Sequence, residues 1–137
     1  MIEQAKKRFA KDKHVIFVKH DLSLPLPAEK LGKFDAVVSS LAIHHLTHQR
    51  KKQLYTEIFN LLNPQGVFCN LEHVSSATSN LHLKFLATIG WAPESEDPSN
   101  KLLDVETQLQ WLREIGFVDV DCAWKWLELA LLTGFKP

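Results

Sequence analysis

The sequence predicts one α/β domain built on a mainly parallel sheet. Helical and strand-like patterns alternate along the chain at the spacing of α/β folds. The strand-like run at residues 34 to 40 is almost wholly apolar at its centre, which is typical of a strand buried on both faces of a parallel sheet. The length of 137 residues suits a single domain with its own core.

The composition excludes several classes of protein. The formal net charge is +0, whereas a nucleic-acid-binding domain is expected to be basic. No apolar run approaches the roughly 18 residues of a membrane span, and the N-terminus lacks the apolar centre of a signal peptide. Cys69 and Cys122 form no CxxC pair and lie in apolar stretches. We therefore expect reduced thiols in a cytoplasmic protein that binds neither nucleic acid nor membrane.

The first half of the chain predicts two strands after an N-terminal helix. Residues 1 to 12 have the periodicity of an amphipathic helix. Residues 14 to 20 are β-branched and aromatic, which indicates a short strand. Two prolines at residues 24 to 27 then require a loop, and residues 34 to 40 form the second strand.

The second half predicts three helices and three further strands. Thr47 is the expected N-cap of a helix over 48 to 62, and Asp104 and Gly116 have the residue types of an N-cap and a C-terminal stop. Trp124 and Trp126 share one face of a strand, where we expect them to pack in the core. The predicted elements are a turn at 63 to 66, a strand at 67 to 71, a helix near 79 to 89, a helix from 104 to 116, and two strands over 117 to 136 with a bend near 126 to 128.

Several segments together resemble a known family. They are FVKHD at residues 17–21 followed by LPLP at 24–27, FDAVVSSLAIHHL at 34–46, IFNLLNPQGVF at 58–68, LREIGF at 112–117 and TGFKP at 133–137. In this order and spacing they resemble the class I S-adenosylmethionine-dependent methyltransferases. The resemblance implies a Rossmann-like sheet with an antiparallel C-terminal hairpin. Gln65 replaces the first glycine of the family's usual turn, which a type I turn tolerates.

The glycine-rich cofactor loop of that family has no counterpart here. The chain has 5 glycines, and none lies within four residues of another. The resemblance places this loop and the ribose-binding carboxylate before Met1, so we expect an N-terminally truncated domain. Either the strand at 14 to 20 then pairs directly with the strand at 34 to 40, or a homodimer fills the missing part of the sheet.

The resemblance assigns five residues to the cofactor, S-adenosylmethionine. Asp21 and Leu22 would contact the adenine, and Ser40, Leu41 and Ala42 would line the methionine end. The C-terminal ends of parallel strands are where open α/β sheets bind ligands, which favours these assignments. Each position could instead be an ordinary strand end.

Polar residues on the other side of the predicted pocket are candidates to deprotonate or contact the methyl acceptor. His45 is the candidate general base, because histidine titrates near neutral pH. Glu72 and His73 follow another strand and could face the substrate, or they could form a solvated strand end. His44 and His48 are four residues apart, but no cysteine joins them and no HExxH motif is present, so we predict no metal site.

The function implied by the resemblance is methyl transfer from S-adenosylmethionine to a small-molecule acceptor. Residues 75 to 101 mix apolar and acidic side chains, which suits a small organic acceptor better than an anionic polymer. We expect this chain alone to bind the cofactor weakly. The alternative is a non-catalytic, truncated domain that acts by association with another chain.

Overall fold

The computed structural model describes residues 2 to 137, which form one four-stranded sheet with helices packed beside it. No helix in this part of the chain is long and apolar enough to cross a membrane. Two single 3₁₀ turns lie at Ile43–His45 and Pro93–Ser95. The helices are α1 (Ile2–Arg8), α2 (Ala28–Leu31), α3 (His48–Leu61), α4 (Ser79–Thr88) and α5 (Val105–Ile115), and the strands are β1 (Phe34–Ser40), β2 (Leu62–His73), β3 (Val118–Trp126) and β4 (Leu129–Phe135).

The strands are arranged in the order β1-β2-β4-β3. β1 and β2 are parallel and are connected through α3, as parallel neighbours require. β4 is antiparallel to both β2 and β3, so the last two strands form a hairpin. The predicted α/β fold class and the antiparallel C-terminal hairpin are confirmed.

Local signals set the ends of the two long helices. The Thr47 hydroxyl accepts a hydrogen bond from the Arg50 amide at 3.3 Å, and the Asp104 carboxylate accepts one from the Thr107 amide at 2.7 Å. Gly116 ends α5 in the left-handed conformation with φ 116°, which glycine adopts without strain. These three predictions are confirmed.

The core lies between one face of the sheet and helices α3 and α5. Tyr55 of α3 and Leu112 of α5 are fully buried there against Phe68 of β2. Every second residue of β2 from Phe68 onward faces this core, so Asn70 and Glu72 are also fully buried. A buried carboxylate requires hydrogen-bond partners, which makes this face of β2 the starting point for a functional site.

The predicted strand at 14 to 20 is not formed. Among residues 2 to 137, β1 pairs only with β2, so the expected direct pairing of this run with residues 34 to 40 is wrong. Ile16 is 86% exposed and Val38 of β1 is 74% exposed. β-propensity describes how a side chain fits a half-buried pleated surface, and this run has no such surface to pack on. The outer edge of β1 is therefore open.

The loop before α2 is fastened to α3 by one arginine. Arg50 Nε donates to the Leu22 carbonyl at 2.9 Å and Nη2 to the Leu24 carbonyl at 2.8 Å. Its Nη1 pairs with Glu57 Oε1 at 2.7 Å, and Glu57 Oε2 accepts from the Leu26 amide at 3.0 Å. Burial acts to raise the pKa of Glu57, but the hydrogen bonds from Arg50 and Leu26 outweigh it and lower that pKa. Leu22 is thereby held beside α3.

The turn at residues 63 to 66 differs from the expected type. Gln65 has φ 66°, the left-handed region, whereas a type I turn needs negative φ at this position. Its amide donates to the Lys136 carbonyl at 2.8 Å, and the Lys136 amide donates to the Gly66 carbonyl at 2.8 Å. Pairing with the C-terminal residues therefore holds a backbone conformation that the Gln65 side chain does not favour.

Trp124 and Trp126 do not pack in the core. They are 48% and 41% exposed, because they lie on the outward face of the edge strand β3. The prediction of core packing is wrong for both. Trp126 instead contacts the edge of Phe85 of α4, with ring centroids 6.4 Å apart.

Candidate active site

The segment from residue 40 to residue 45 separates two cavities. β1 ends at Ser40, and Leu41 follows with a left-handed φ of 49° while its amide donates to the Leu71 carbonyl at 2.8 Å. This bond ties the segment to the end of β2. Ser40, Ala42 and Ile43 line what we call the apolar cavity, of about 320 Å³. Leu41, His44 and His45 line what we call the histidine cavity, of about 370 Å³.

The apolar cavity brings together three of the five residues predicted to bind the cofactor. These are Leu22, Ser40 and Ala42, whereas Leu41 lines the histidine cavity instead. Asp21 is exposed, and its Oδ1 accepts a hydrogen bond from the Ser23 amide at 2.9 Å. That backbone hydrogen bond lowers the pKa of Asp21, so the carboxylate stays ionised as a hydrogen-bond acceptor. Asp21 does not line the apolar cavity, so its contact with adenine stays a prediction.

The histidine cavity combines imidazoles with an apolar wall. Its floor is the C-terminal ends of β1 and β2, and its cover comes from α4 and the loop that follows it. Such a cavity suits a small organic molecule positioned by a few polar groups. Besides the three residues named above, its lining consists of His73, Phe85, Ile89, Trp91, Asp97, Asn100 and Leu129.

One imidazole in this cavity is held by a buried carboxylate. His44 Nδ1 lies 3.0 Å from Glu72 Oε1, and the His44 amide donates to the same oxygen at 3.1 Å. Glu72 has no exposed surface. In the tautomer with its hydrogen on Nδ1, the ring donates to this carboxylate and presents the lone pair of Nε2. Within residues 2 to 137 that Nε2 has no hydrogen-bond partner.

Further buried groups fix the position of Glu72. Asn70 Nδ2 donates to Glu72 Oε2 at 3.2 Å and to the Tyr55 hydroxyl at 3.3 Å, and that hydroxyl donates to Gln108 Oε1 at 2.6 Å. Burial raises the pKa of Tyr55 far above its ordinary value, so the phenol remains a donor. Because every member of this chain is packed in the core, the Glu72 carboxylate has one well-defined orientation.

A second buried carboxylate, in the hairpin turn, contacts one of the imidazoles that line this cavity. Glu128 has no exposed surface, and its Oε2 lies 3.0 Å from His73 Nε2. Its Oε1 lies 3.0 Å from Nδ1 of His82 on α4, whose Nε2 lies 3.2 Å from Glu96 Oε2. Burial acts to raise the pKa of Glu128, but hydrogen bonds from Ser76, His73 and His82 outweigh it and lower that pKa. Burial acts to lower the pKa of His82, but its two carboxylate neighbours outweigh it and raise that pKa.

The structure places the predicted acceptor-side residues at different depths. His45 lines the histidine cavity and its Nδ1 lies 2.9 Å from the Ser99 hydroxyl, not from a carboxylate. The His44 and His45 rings are 4.0 Å apart between centroids. His73 lines the cavity, whereas Glu72 lies beneath His44 and contacts no solvent. The assignment of His45 as the base stays a prediction, and His44 joins it as a candidate.

The comparisons with known proteins agree with this geometry. Residues 1–66 match the family model described as a methyltransferase domain. The chain is 32% identical over 123 residues to methylphloroacetophenone synthase of Cladonia uncialis. The aligned region covers 88% of this chain and 5% of that protein. An O-methyltransferase family protein from Burkholderia thailandensis has the same fold, with a TM-score of 0.71 and 16% identity, over 98% of this chain and 39% of that one.

The predicted resemblance to the class I S-adenosylmethionine-dependent methyltransferases is confirmed. Two further methyltransferases share the fold. The CurJ carbon methyltransferase has a TM-score of 0.69 and 16% identity, over 98% of this chain and 38% of that one. The CMeT domain of the citrinin polyketide synthase has a TM-score of 0.67 and 16% identity, over 98% of this chain and 36% of that one. The chain thus spans about two fifths of these methyltransferase chains and 5% of the curated relative.

Sequence reasoning did not pick out two carboxylate roles in this candidate site. The support of His44 by Glu72 had a usable signal, because Asn70 and Glu72 are polar residues on the same strand face as Phe68. Polar side chains at core-facing strand positions are uncommon unless they are hydrogen-bonded for a purpose. Glu128 had no such signal, since a glutamate in a hairpin turn is ordinarily solvated.

Proposed function

We propose that this chain provides the acceptor side of a methyl-transfer site and that its acceptor is a small carbon acid. The observation that carries the proposal is the His44–Glu72 pair at the histidine cavity. A buried histidine–carboxylate pair is an arrangement for removing a proton, and an apolar wall favours an uncharged organic substrate. Relatives in fold are described as carbon methyltransferases. Other neighbours in fold are described as O- and N-methyltransferases, so the choice of a C–H acid rests on the His44–Glu72 pair.

The residues around the apolar cavity are suited to hold S-adenosylmethionine. Asp21 and Leu22 would receive its adenine, and Ser40, Leu41 and Ala42 its methionine end. When bound, the cofactor supplies an electrophilic methyl group on a sulfonium. We expect binding by this chain alone to be weak, so titration calorimetry with S-adenosylhomocysteine should give at best millimolar affinity. Micromolar binding would contradict this part of the proposal.

In this reaction the chain's own residues accept a proton, stabilise the resulting imidazolium and orient the acceptor. His44 Nε2 accepts the acidic proton of the acceptor, and its Nδ1–H bond to Glu72 stabilises the imidazolium that results. Positioned proton transfer of this kind contributes about 10²- to 10⁴-fold to a rate. Phe85 and Trp91 form part of the wall that excludes water and orients the acceptor.

Proton removal can be tested without the cofactor. Ethyl acetoacetate, a 1,3-dicarbonyl compound, exchanges its central hydrogens for deuterium in D₂O, and proton NMR measures that rate above the buffer background. We expect the chain to accelerate exchange and His44→Gln to abolish the acceleration. His48→Gln is the matched control, because His48 is an exposed residue at the start of α3. His45→Gln tests the sequence-based choice of base. No acceleration by the unmodified chain, or full activity in His44→Gln, would overturn the proposal.

A second candidate function is association through the open edge of β1. Val38 on that strand is 74% exposed, and an unpaired strand edge is a template for another chain. The proposed partner is a second copy that extends the sheet. Light scattering after size-exclusion chromatography should then show a dimer, and a monomer at all concentrations would exclude it.

Cys69 and Cys122 are both free, which supports the proposed cytoplasmic location.

A further inference from the structure

A second histidine–carboxylate pair borders the histidine cavity at the end of the neighbouring strand, β2. His73 closes β2 and lines the cavity, and its Nε2 lies 3.0 Å from Glu128 Oε2. The Glu128 carboxylate has no exposed surface. The cavity is therefore bordered by two imidazoles, each supported by a fully buried glutamate, in His44–Glu72 and His73–Glu128. A single proton abstraction uses one of them and leaves the other without a role.

The two pairs differ in what surrounds the carboxylate. Glu72 is bonded to amide groups and to His44. Glu128 is shared between His73 and His82, and His82 also contacts Glu96. Both ring nitrogens of His82 face carboxylates, which only accept, so an intact bridge requires the imidazolium form. With His73 protonated, the chain of two imidazoliums and two carboxylates is electrically neutral.

Protonation decides what His73 offers to the cavity. In the imidazolium form its Nε2–H donates to Glu128 and its Nδ1–H is a second donor. Within residues 2 to 137 that Nδ1 has no hydrogen-bond partner. The other titratable groups around this ring are His44, on the segment after β1, and His82, on α4 beyond Glu128.

We infer that His73, positioned by Glu128, donates a hydrogen bond to the acceptor's carbonyl oxygen while His44 removes the proton from the adjacent carbon. The inference rests on the proposed function and adds a second catalytic residue to it. The carbon–hydrogen bond breaks, its electron pair forms a carbon–carbon double bond to the carbonyl carbon, and the carbonyl π pair moves onto the oxygen as the negative charge of an enolate. The proton removed is on His44, and His73 keeps its own proton.

The spacing of the two rings suits such a molecule. Their centroids are 5.5 Å apart and the rings meet edge to face at 69°. The reacting carbon and the carbonyl oxygen of a ketone are about 2.4 Å apart, from bond lengths of about 1.5 and 1.2 Å. With a hydrogen-bond reach of about 3 Å at each end, one molecule can contact both rings. A phenol or an amine acceptor has its proton and its developing charge on a single atom and needs only one of them.

The same deuterium-exchange assay tests this role through its pH profile. Exchange needs His44 unprotonated and His73 protonated, so kcat/KM for ethyl acetoacetate should rise and then fall with pH. His73→Leu removes the donor and should lower kcat/KM about 10²-fold, the loss seen when one donor to a developing oxyanion is removed. His73→Gln keeps an uncharged donor, so it should retain more activity than His73→Leu and should lose the decline at high pH. Glu128→Gln should move that decline to lower pH.

A matched variant separates catalysis from structure. His82→Gln removes the other imidazole from Glu128, but His82 does not line the histidine cavity. We expect this variant to keep a bell-shaped profile. If His73→Leu does not fold, as judged by circular dichroism, the profile of His73→Gln decides, because its amide can still donate to Glu128.

The outcomes distinguish this inference from the proposed function. Loss of exchange in His44→Gln, together with a flattened alkaline limb in His73→Gln, supports both. Loss in His44→Gln with His73 variants that keep the unmodified profile overturns the role of His73 and leaves the proposed function standing. Unchanged exchange in all variants overturns both.

Discussion

Replacing Glu72 by glutamine should lower the rate of deuterium exchange much more than it lowers the free energy of unfolding. Glu72 Oε1 accepts from the His44 amide, His44 Nδ1 and the His73 amide at 3.0–3.1 Å, and Oε2 accepts from Asn70. Glutamine keeps one oxygen for the first three donors. Each bond then loses about 1 kcal/mol, the difference between charged and neutral hydrogen bonds. A neutral group, however, avoids most of the several kcal/mol needed to bury a carboxylate.

The remaining conflict is between two amide groups. The new amide nitrogen would face Asn70 Nδ2, donor against donor. Asn70 Oδ1 is a buried oxygen without a partner within residues 2 to 137, so a half-turn of the Asn70 amide would resolve the conflict. The turn gives up the bond from Asn70 Nδ2 to the Tyr55 hydroxyl, which is worth about 1 kcal/mol. The net expected loss in the free energy of unfolding is about 1–2 kcal/mol.

The expected loss of activity is larger. The glutamine oxygen still accepts from His44 Nδ1–H but carries no charge to stabilise the protonated ring, and an analogous change in another histidine–carboxylate site lowers the rate about 10⁴-fold. We expect deuterium exchange into ethyl acetoacetate to fall about 10³-fold, which corresponds to about 4 kcal/mol. Urea unfolding followed by circular dichroism measures the stability of the same sample. Exchange within tenfold of the unmodified chain would refute the assignment of Glu72 to His44.

Three further predictions concern the cover, a turn and the sheet edge. The bridge from Glu128 through His82 to Glu96 holds α4 to the hairpin, and its stability contribution has two limits in pH. The part due to His82, whose pKa is raised, is complete below the ordinary value of 6.5 and is lost as pH rises through the raised value. The part due to Glu128, whose pKa is lowered, is present above 4.5 and is lost as pH falls through the lowered value. Amide hydrogen exchange in α4, corrected for intrinsic rates, should therefore be slowest between these limits, and a flat profile would contradict the bridge. Gln65→Gly relieves a left-handed φ of 66° and should raise the free energy of unfolding by about 1 kcal/mol, measured by urea titration. Val38→Lys places a charge on the open strand edge and should reduce association in light scattering without lowering the midpoint of thermal unfolding by more than a few degrees.

Local signals in the sequence predicted most of the fold. Thr47, Asp104 and Gly116 mark helix ends through hydrogen bonds and dihedral angles that depend on a few neighbouring residues, and each is confirmed. The strand at 14 to 20 is not formed, because strand formation depends on a partner that lies far away in the chain or is not present. Gln65 shows the same limit, since pairing with Lys136 decides its conformation.

The candidate site could be predicted only in outline. The ends of β1 and β2 were identified because parallel strands present their C-terminal residues at one edge. The choice between His44 and His45 depends on which ring meets a buried carboxylate, and adjacent residues in a turn give no such information. Glu128 is a further case, because it meets His73 only through the hairpin that carries it across the end of β2.

The segment from residue 40 to residue 45 also limits how this chain can change in length. Its six residues are divided between the linings of the two cavities, and both of its ends are fixed, by β1 on one side and by the cap of α3 on the other. An insertion or deletion of one residue would move several of these side chains to the other cavity and take His44 away from Glu72. In a library of single-residue insertions, this stretch should therefore be the least permissive loop of the chain, while the exposed residues 93 to 95 should accept them.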